Sequence, residues 1–373
     1  MTRIGFAYNQ KPEPVVAEQA AEFAPDEEEP PSSGSGFAAL VAPAPSANDE
    51  FAEWDSPATI HAVASALARF GHVIPLEATD EFPQRLREAR PDIVFNIAEG
   101  LRGPNREAHV PAICEFFGIA YSGSDPFTLA LCLDKARTKE VLRARGVPTA
   151  DWWLIRSREE LHALLAQQPR IPLFAKPVHE GSSKGITERN VIAEPDALEP
   201  VVLELLERYD QPVLVETFLT GAEFTCGVLG NGSSARVLPV VGMNFGALPT
   251  GALPIYGYEA KWLWDTTDAP LDIFECPADI DGDLRAEIED VVLRAYHVLG
   301  CRDWSRVDVR LGEDGHANIV EVNPLPGILP DPADNSCLPK AARAAGIAYD
   351  DLIGACLHAA AERQHIPLSR RHG

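Results

Sequence analysis

The period of apolar positions changes several times along this chain. "RIGFAYN" is a short, nearly continuous apolar run of the kind that fills a buried strand. "DSPATIHAVASALARFGHVIPLE" then takes on a helical period. Ile60, Val63, Ala64 and Leu67 form one stripe, Ser56 is placed to cap it, and Pro57 sits at the first helical position. "HVIPLE" and "PDIVFNIAEG" return to strand, and "REAHVPAICEFFGIAYSG" supplies a second helix and another strand. Such alternation predicts an α/β unit with a parallel sheet. It ends near "DKARTKEVLRARGVPT", a helix closed by Gly146 and Pro148.

The remaining pattern predicts an α+β arrangement. "ADWWLIRS", "IPLFAKPVHEGSSKGITERNVI", a helix at about 196–208 and the strand "PVLVETFL" form a second block. A third block opens with "EFTCGVLGNG", a hairpin around Asn231-Gly232, and continues through "RVLPVVGMN" and the aromatic stretch "PIYGYEAKWLWD". It closes with the helix "LRAEIEDVVLRAYHVLG", the hairpin "SRVDVRLGEDGHANIVEVNPLPG" and a terminal helix. The predicted division is residues 1–134, 135–214 and 215–373. Residues 11–52 interrupt the first block with Pro, Ala, Ser and acid, including Asp26-Glu27-Glu28-Glu29-Pro30-Pro31. That composition buries little apolar surface and predicts a flexible acidic insertion.

Composition narrows the classes. The chain has 373 residues, 46% hydrophobic and 24% charged, as in a globular protein of two or three domains. No apolar run approaches the roughly 20 residues of a membrane span, and "MTRIGFAYNQ" lacks the apolar core of a signal peptide, so a cytoplasmic location is expected. The 7 cysteines include no C-x-x-C pair, against a zinc site or a disulfide framework. A net charge of -24 argues against nucleic acid or an anionic membrane as partner. Anionic substrates would have to be held by local lysines and arginines.

The closing hairpin carries an unusual polar set. By strand parity Val307, Val309 and Leu311 share one face and Arg306, Asp308 and Arg310 the other. On the return strand Val320 and Val322 share a face, opposite Ile319, Glu321 and Asn323. With the valines on a core, Asp308, Glu321 and Asn323 come together beside Arg306. Two carboxylates and an amide are hard oxygen ligands suited to Mg²⁺ shared with phosphates. In "KPVHEGSSKGI", Lys176 follows a strand, and the loop Glu180-Gly181-Ser182-Ser183-Lys184-Gly185 can turn backbone N–H groups toward an anion. No Walker A or G-x-G-x-x-G pattern is present. "VLVETFLTGAEF" offers an extended backbone to a base edge and a carboxylate, Glu223, seven residues after Glu216. Lys135, Lys176 and Lys261 could converge on one polyphosphate.

Together these segments resemble the D-alanine–D-alanine ligase branch of the ATP-grasp superfamily. The matches are "GSDPFTLALCLDKARTK", "AKPVHEGSSKGI", "LVETFLTGAEFT", "YEAKW", "RVDVRL", "VEVNPLPG" and "SCLPKAARAAG", in the family's order over about residues 91–360. The resemblance implies an N-terminal α/β domain and two α+β lobes that grip ATP. It also implies that Lys135, Lys176 and Lys261 contact phosphates while the loop of Glu180, Gly181, Ser182, Ser183 and Gly185 closes over them. Glu216, Phe218 and Leu219 would flank adenine and Glu223 would hold the ribose. Asp308, Glu321 and Asn323 would bind Mg²⁺, or Mn²⁺ in its place. Arg306 and Lys261 would act in catalysis, with Arg306 stabilising developing negative charge, and Ser336 would hold a substrate carboxylate.

Three departures fall where the amino-acid substrates should bind. "NIAEGLRGPNREAHVPA" replaces the family's His-Gly and Glu-Asp-Gly stretch and offers Glu99, Arg102 and Arg106. The glutamate and serine that open the family's first helix have no clear match, although Glu53, Asp55 and Ser56 are near. The link "ILPDPADN" is longer than usual. The expected activity is ATP-dependent carboxylate–amine ligation through an acyl phosphate, releasing ADP. Its partners would be small amino acids or peptides, with Glu99, Arg106 and Ser336 as substrate contacts and a homodimer as the assembly. The alternatives are an authentic D-alanine–D-alanine ligase and a catalytically silent ATP-binding regulator.

Overall fold

The computed structural model describes residues 1–12, 51, 53–249, 251–257 and 271–368. The first sheet contains β1 (Arg3–Tyr8), β2 (His72–Glu77), β3 (Ile93–Asn96) and β4 (Ala120–Tyr121) in the order β2-β1-β3-β4, with every pairing parallel. Its connecting helices are α1 (Pro57–Ala68), α2 (Phe82–Ala89) and α3 (His109–Phe117). The Ser56 hydroxyl accepts from the Thr59 N–H at 3.2 Å, and Val63, Ala66 and Leu67 of α1 are buried. α2 is absent from the sequence reading; Glu81 precedes it without a side-chain cap, so the start signal is weak, and burial of Phe82 and Leu86 holds it.

α4 (Pro126–Leu133) and α5 (Lys135–Ala144) lead into the second sheet. There β5 (Trp152–Ile155), β6 (Leu173–Pro177), β7 (Val191–Ile192) and β8 (Val213–Thr217) pair antiparallel in the order β5-β8-β6-β7. α6 (Arg158–Ala166) and α7 (Leu198–Tyr209) cover it, burying Leu161, Leu164, Val202 and Leu205.

The third sheet contains β9 (Glu223–Leu229), β10 (Arg236–Val237), β11 (Val241–Met243), β12 (Phe274–Glu275), β13 (Trp304–Leu311) and β14 (Ala317–Asn323). Their order is β12-β11-β9-β13-β14, with β10 paired to β9 across the Asn231-Gly232 turn. α8 (Gly282–Leu299) packs Ile288, Val292 and Ala295 against Val307, Val309 and Val322. α9 (Cys337–Ala344) follows, and α10 (Tyr349–Arg363) returns to α1, so a single apolar core joins Ile4 and Phe6 of the first sheet to Trp304 of the third.

One sequence expectation fails inside the hairpin. The register passes from Asp308 opposite Glu321 to Val309 opposite Ile319, which leaves Val320 as a bulge. The extra residue reverses parity, so Ile319 turns into the core beside Val322 instead of sharing a face with Glu321 and Asn323. Most of the acidic insertion, residues 13–50 and 52, lies outside the described residues. Its two ends meet: Gln10 and Asp55 form a parallel bridge, and the Lys11 N–H donates to the Asp55 carbonyl at 2.9 Å. Among the described residues, no helix is long and apolar enough to cross a membrane.

Candidate active site

A cavity of about 380 Å³ opens between the three sheets. One side is basic. α5 begins at Lys135, and four residues further along the same face stands Lys139. Lys139 and Lys176, the latter from β6, grip the two oxygens of Glu216 at 2.7 Å each, and all three residues are buried. Burial alone would push the Glu216 carboxyl up, but the two ammonium groups dominate and hold it down to about 2. Burial opposes the charge of Lys176 as well, and Glu216 outweighs it, so that pKa is raised. Lys135 reaches the Glu321 carboxylate at 3.1 Å and the Glu180 carbonyl at 2.6 Å.

The hairpin forms the facing side. Asp308 stands directly opposite Glu321 and Arg306 opposite Asn323. Arg306 grips Asp308 through Nε at 3.1 Å and Nη2 at 2.9 Å, and the Thr225 hydroxyl donates to the same carboxylate at 2.6 Å. Burial would raise the Glu321 pKa, but Lys135, Lys176 and Arg306 together lower it. The Asn323 side-chain oxygen accepts from the Leu325 N–H at 2.9 Å.

The loop after β6 covers the basic side. Ser182 and Ser183 both lie in the left-handed region, at φ 51 and 60. The N–H groups of Gly181, Ser182 and Ser183 donate to no described residue, which leaves an anion cradle of backbone donors. A Cβ at Gly181 would displace the Glu53 carboxylate, and at Gly185 (φ +70) it would meet Pro177 at 2.8 Å. The Ser183 hydroxyl donates to the Tyr256 carbonyl at 3.2 Å.

Beyond the end of β8 the chain passes through Phe218 and Leu219, and both line the cavity. The Phe218 N–H is used by the Pro172 carbonyl, whereas the Leu219 N–H has no partner among the described residues. Glu223 pairs with Arg310 at 2.8 Å, and Arg310 lies 4.6 Å from the Phe218 ring. Burial pushes the Glu223 carboxyl up to about 7 despite that arginine.

The structure therefore brings Lys135, Lys176, Glu180, Gly181, Ser182, Ser183, Glu216, Phe218, Leu219, Glu223, Arg306, Asp308, Glu321, Asn323, Ser336 and Glu99 to one cavity. Lys261 lies outside the described residues. The Ser336 hydroxyl accepts from the Leu329 N–H at 3.2 Å and donates to the Gly327 carbonyl at 3.1 Å, so it closes the long link before α9. Arg106 does not pair with Glu99. Its Nη2 instead binds both oxygens of Glu53, at 3.0 and 2.9 Å, and its Nη1 donates to the His179 carbonyl at 2.9 Å. Sequence reasoning missed Lys139, although its spacing from Lys135 in "DKARTK" was a usable signal. It also missed Glu107 and Lys11, which line the same cavity without any motif to mark them.

A family described as the D-ala D-ala ligase C-terminus matches residues 141–358. A D-alanine–D-alanine ligase of Actinobacillus pleuropneumoniae serotype 5b is 37% identical over 294 residues, covering 78% of this chain and 88% of that protein. The D-alanine–D-alanine ligase of Bordetella pertussis strain Tohama I is 38% identical over 253 residues, covering 68% and 74%. A solved D-alanine–D-alanine ligase from Bacillus anthracis, complexed with ATP, superposes with a TM-score of 0.67 at 21% identity over 98% of this chain and 99% of that one. The three-sheet architecture is thus the ATP-grasp fold, and the chain belongs to the D-alanine–D-alanine ligase family.

Proposed function

We propose that the protein is an ATP-dependent carboxylate–amine ligase that forms an amide through an acyl phosphate and releases ADP and phosphate. The observation that carries this reading is a single cavity holding buried lysines from two segments, an unpartnered loop of N–H donors and the facing oxygens of Asp308, Glu321 and Asn323. Residues 1–134 would supply the substrate wall, and the lobes 135–214 and 215–373 would grip the nucleotide.

The donor set fits a hard divalent cation. Asp308 and Glu321 are cross-strand neighbours and Asn323 adds an amide oxygen, while cationic side chains stand against both carboxylates. Three protein oxygens leave coordination positions for phosphate and water, as Mg²⁺ requires. Bound there, Mg²⁺ would neutralise the phosphates and lower the repulsion between a triphosphate and an incoming carboxylate. Lys135, Lys139 and Lys176 would orient the phosphates, with Glu216 fixing the positions of the latter two. Gly181, Ser182 and Ser183 would donate their N–H groups to the terminal phosphate. Leu219 would donate its free N–H to the adenine edge, and the Phe218 ring would lie along the base. Glu223 would accept from ribose hydroxyls. Arg306 would stabilise negative charge on the acyl phosphate and on the tetrahedral species that follows attack by the amine.

Incubation with ATP, Mg²⁺ and a panel of amino acids and short peptides tests the reading. ADP release accompanied by an amide product in the mass spectrum is expected, and AMP with pyrophosphate would refute it. Ligation of D-alanine to D-alanine, the activity named for the relatives, is the second reading, favoured by the extent of the match.

A further inference from the structure

The cavity has an acidic wall that nucleotide binding leaves unused. It is built where the end of the acidic insertion meets the loop after β3 and the turn before α3, from Glu53, Asp55, Glu99 and Glu107. Glu53 is satisfied, because Arg106 binds both its oxygens and Lys184 reaches it at 3.2 Å. Glu107 is not. It is 7% exposed, it lines the cavity, and its carboxylate makes no hydrogen bond or ion pair with any described residue. The carboxylates of Asp55 and Glu99 also lack a hydrogen-bonding or ion-pairing partner among the described residues, although Lys11 lies within Coulombic range of Asp55.

Burial, reinforced by Glu53, pushes Glu107 up to about 8. Burial pushes Asp55 up to about 7 against the opposing pull of Lys11. Burial and then Glu107 raise Glu99 well above the carboxylate range. A buried carboxylate without a partner is costly, and either a proton or a cation relieves it. Glu107 is such a group, and with the half-buried Asp55 and Glu99 beside it the wall holds more carboxylates than a single α-ammonium group needs.

Resting on the ligase reading above, we propose that Asp55, Glu99 and Glu107 receive a cationic group of the carboxylate substrate. The preferred substrate is then a basic amino acid, carrying a second amine or a guanidine besides its α-amine. The wall lies at the phosphate end of the cavity, since Glu53 abuts Gly181 of the covering loop, and the carboxylate donor must reach that end.

The test compares kcat/KM for lysine, ornithine and arginine, in both chiral forms, with norleucine and alanine as carboxylate donors, in wild type and in Glu107→Gln and Glu99→Gln. Calorimetric binding of lysine and norleucine to the enzyme saturated with a non-hydrolysable ATP analogue runs in parallel. The expected result is at least about tenfold preference for a basic over a neutral donor, with the ratio falling at least about fivefold in either variant. Equal use of norleucine and lysine, or an unchanged ratio in both variants, overturns the inference and leaves the ligase reading standing. Absence of ADP release with every donor refutes the ligase reading instead. The binding comparison then decides the inference, with tighter lysine binding for it and equal binding against it. If Glu107→Gln does not fold, Glu99→Gln and the wild-type panel give the same decision.

Discussion

The two sides of the cavity differ in how their charge is compensated. On the side of the lysines and the hairpin the buried carboxylate of Glu216 and the partly buried one of Glu321 each have lysine partners, and Asp308 has Arg306 and Thr225. On the acidic wall beside the covering loop only Glu53 is matched in this way, while buried Glu107 and partly buried Asp55 and Glu99 have no ion-pair partner among the described residues. A matched buried network holds its geometry before ligand arrives and supplies preorganised positive charge. An unmatched one is a demand for a ligand. Under the proposals above, the matched half would serve the nucleotide and the unmatched half would select the substrate.

The largest break in this comparison comes from the hairpin. Asp308→Ala or Glu321→Ala should lower the rate of Mg²⁺-dependent ADP release by on the order of a hundred- to thousandfold, with the circular dichroism spectrum unchanged. Unaltered turnover in either variant would remove the hairpin from the site.

Glu216→Gln should cost about 3–5 kcal/mol in denaturant unfolding at neutral pH, because it leaves Lys139 and Lys176 buried against each other. Its pH dependence carries a definite sign. The folded pKa is about 2 against an ordinary 4.5, so the Glu216 contribution is complete above about 4.5 and is lost as pH falls from there through about 2. A wild-type/variant difference that stays constant across that window would contradict the clamp.

Glu107→Gln should act with the opposite sign. The raised folded pKa, about 8 against 4.5, means that ionisation destabilises the folded state as pH rises through 4.5 to about 8. The variant should therefore be more stable than wild type at pH 9 and nearly equal to it at pH 4. Destabilisation at pH 9 would show that the wall is matched after all. The smallest effect concerns the insertion: replacing residues 13–50 with a short linker should move Tm by no more than about 2 °C, because its ends already meet through Gln10, Lys11 and Asp55.

Much of the lysine and hairpin side of the cavity was legible because its residues sit on regular elements. Cross-strand pairing made Asp308, Glu321, Arg306 and Asn323 neighbours from parity alone, and the hydroxyl-capped α1 was marked by Ser56-Pro57. The Val320 bulge was not legible, because one extra residue reverses the face of Ile319 without changing composition. The Arg106–Glu53 pair joins residues 53 positions apart across the insertion, and no local period encodes such a contact. The wall likewise arises from tertiary approach of three segments, around Glu53 and Asp55, Glu99 and Glu107, that no local pattern links.

Oxygen transfer from the substrate distinguishes an acyl phosphate from any other route to the amide. With a carboxylate donor labelled with ¹⁸O, ATP, Mg²⁺ and an amine acceptor, one labelled oxygen per turnover should appear in the released phosphate, because an acyl phosphate gives up that oxygen when the amide forms. Unlabelled phosphate beside the amide, or label recovered in AMP, would contradict it.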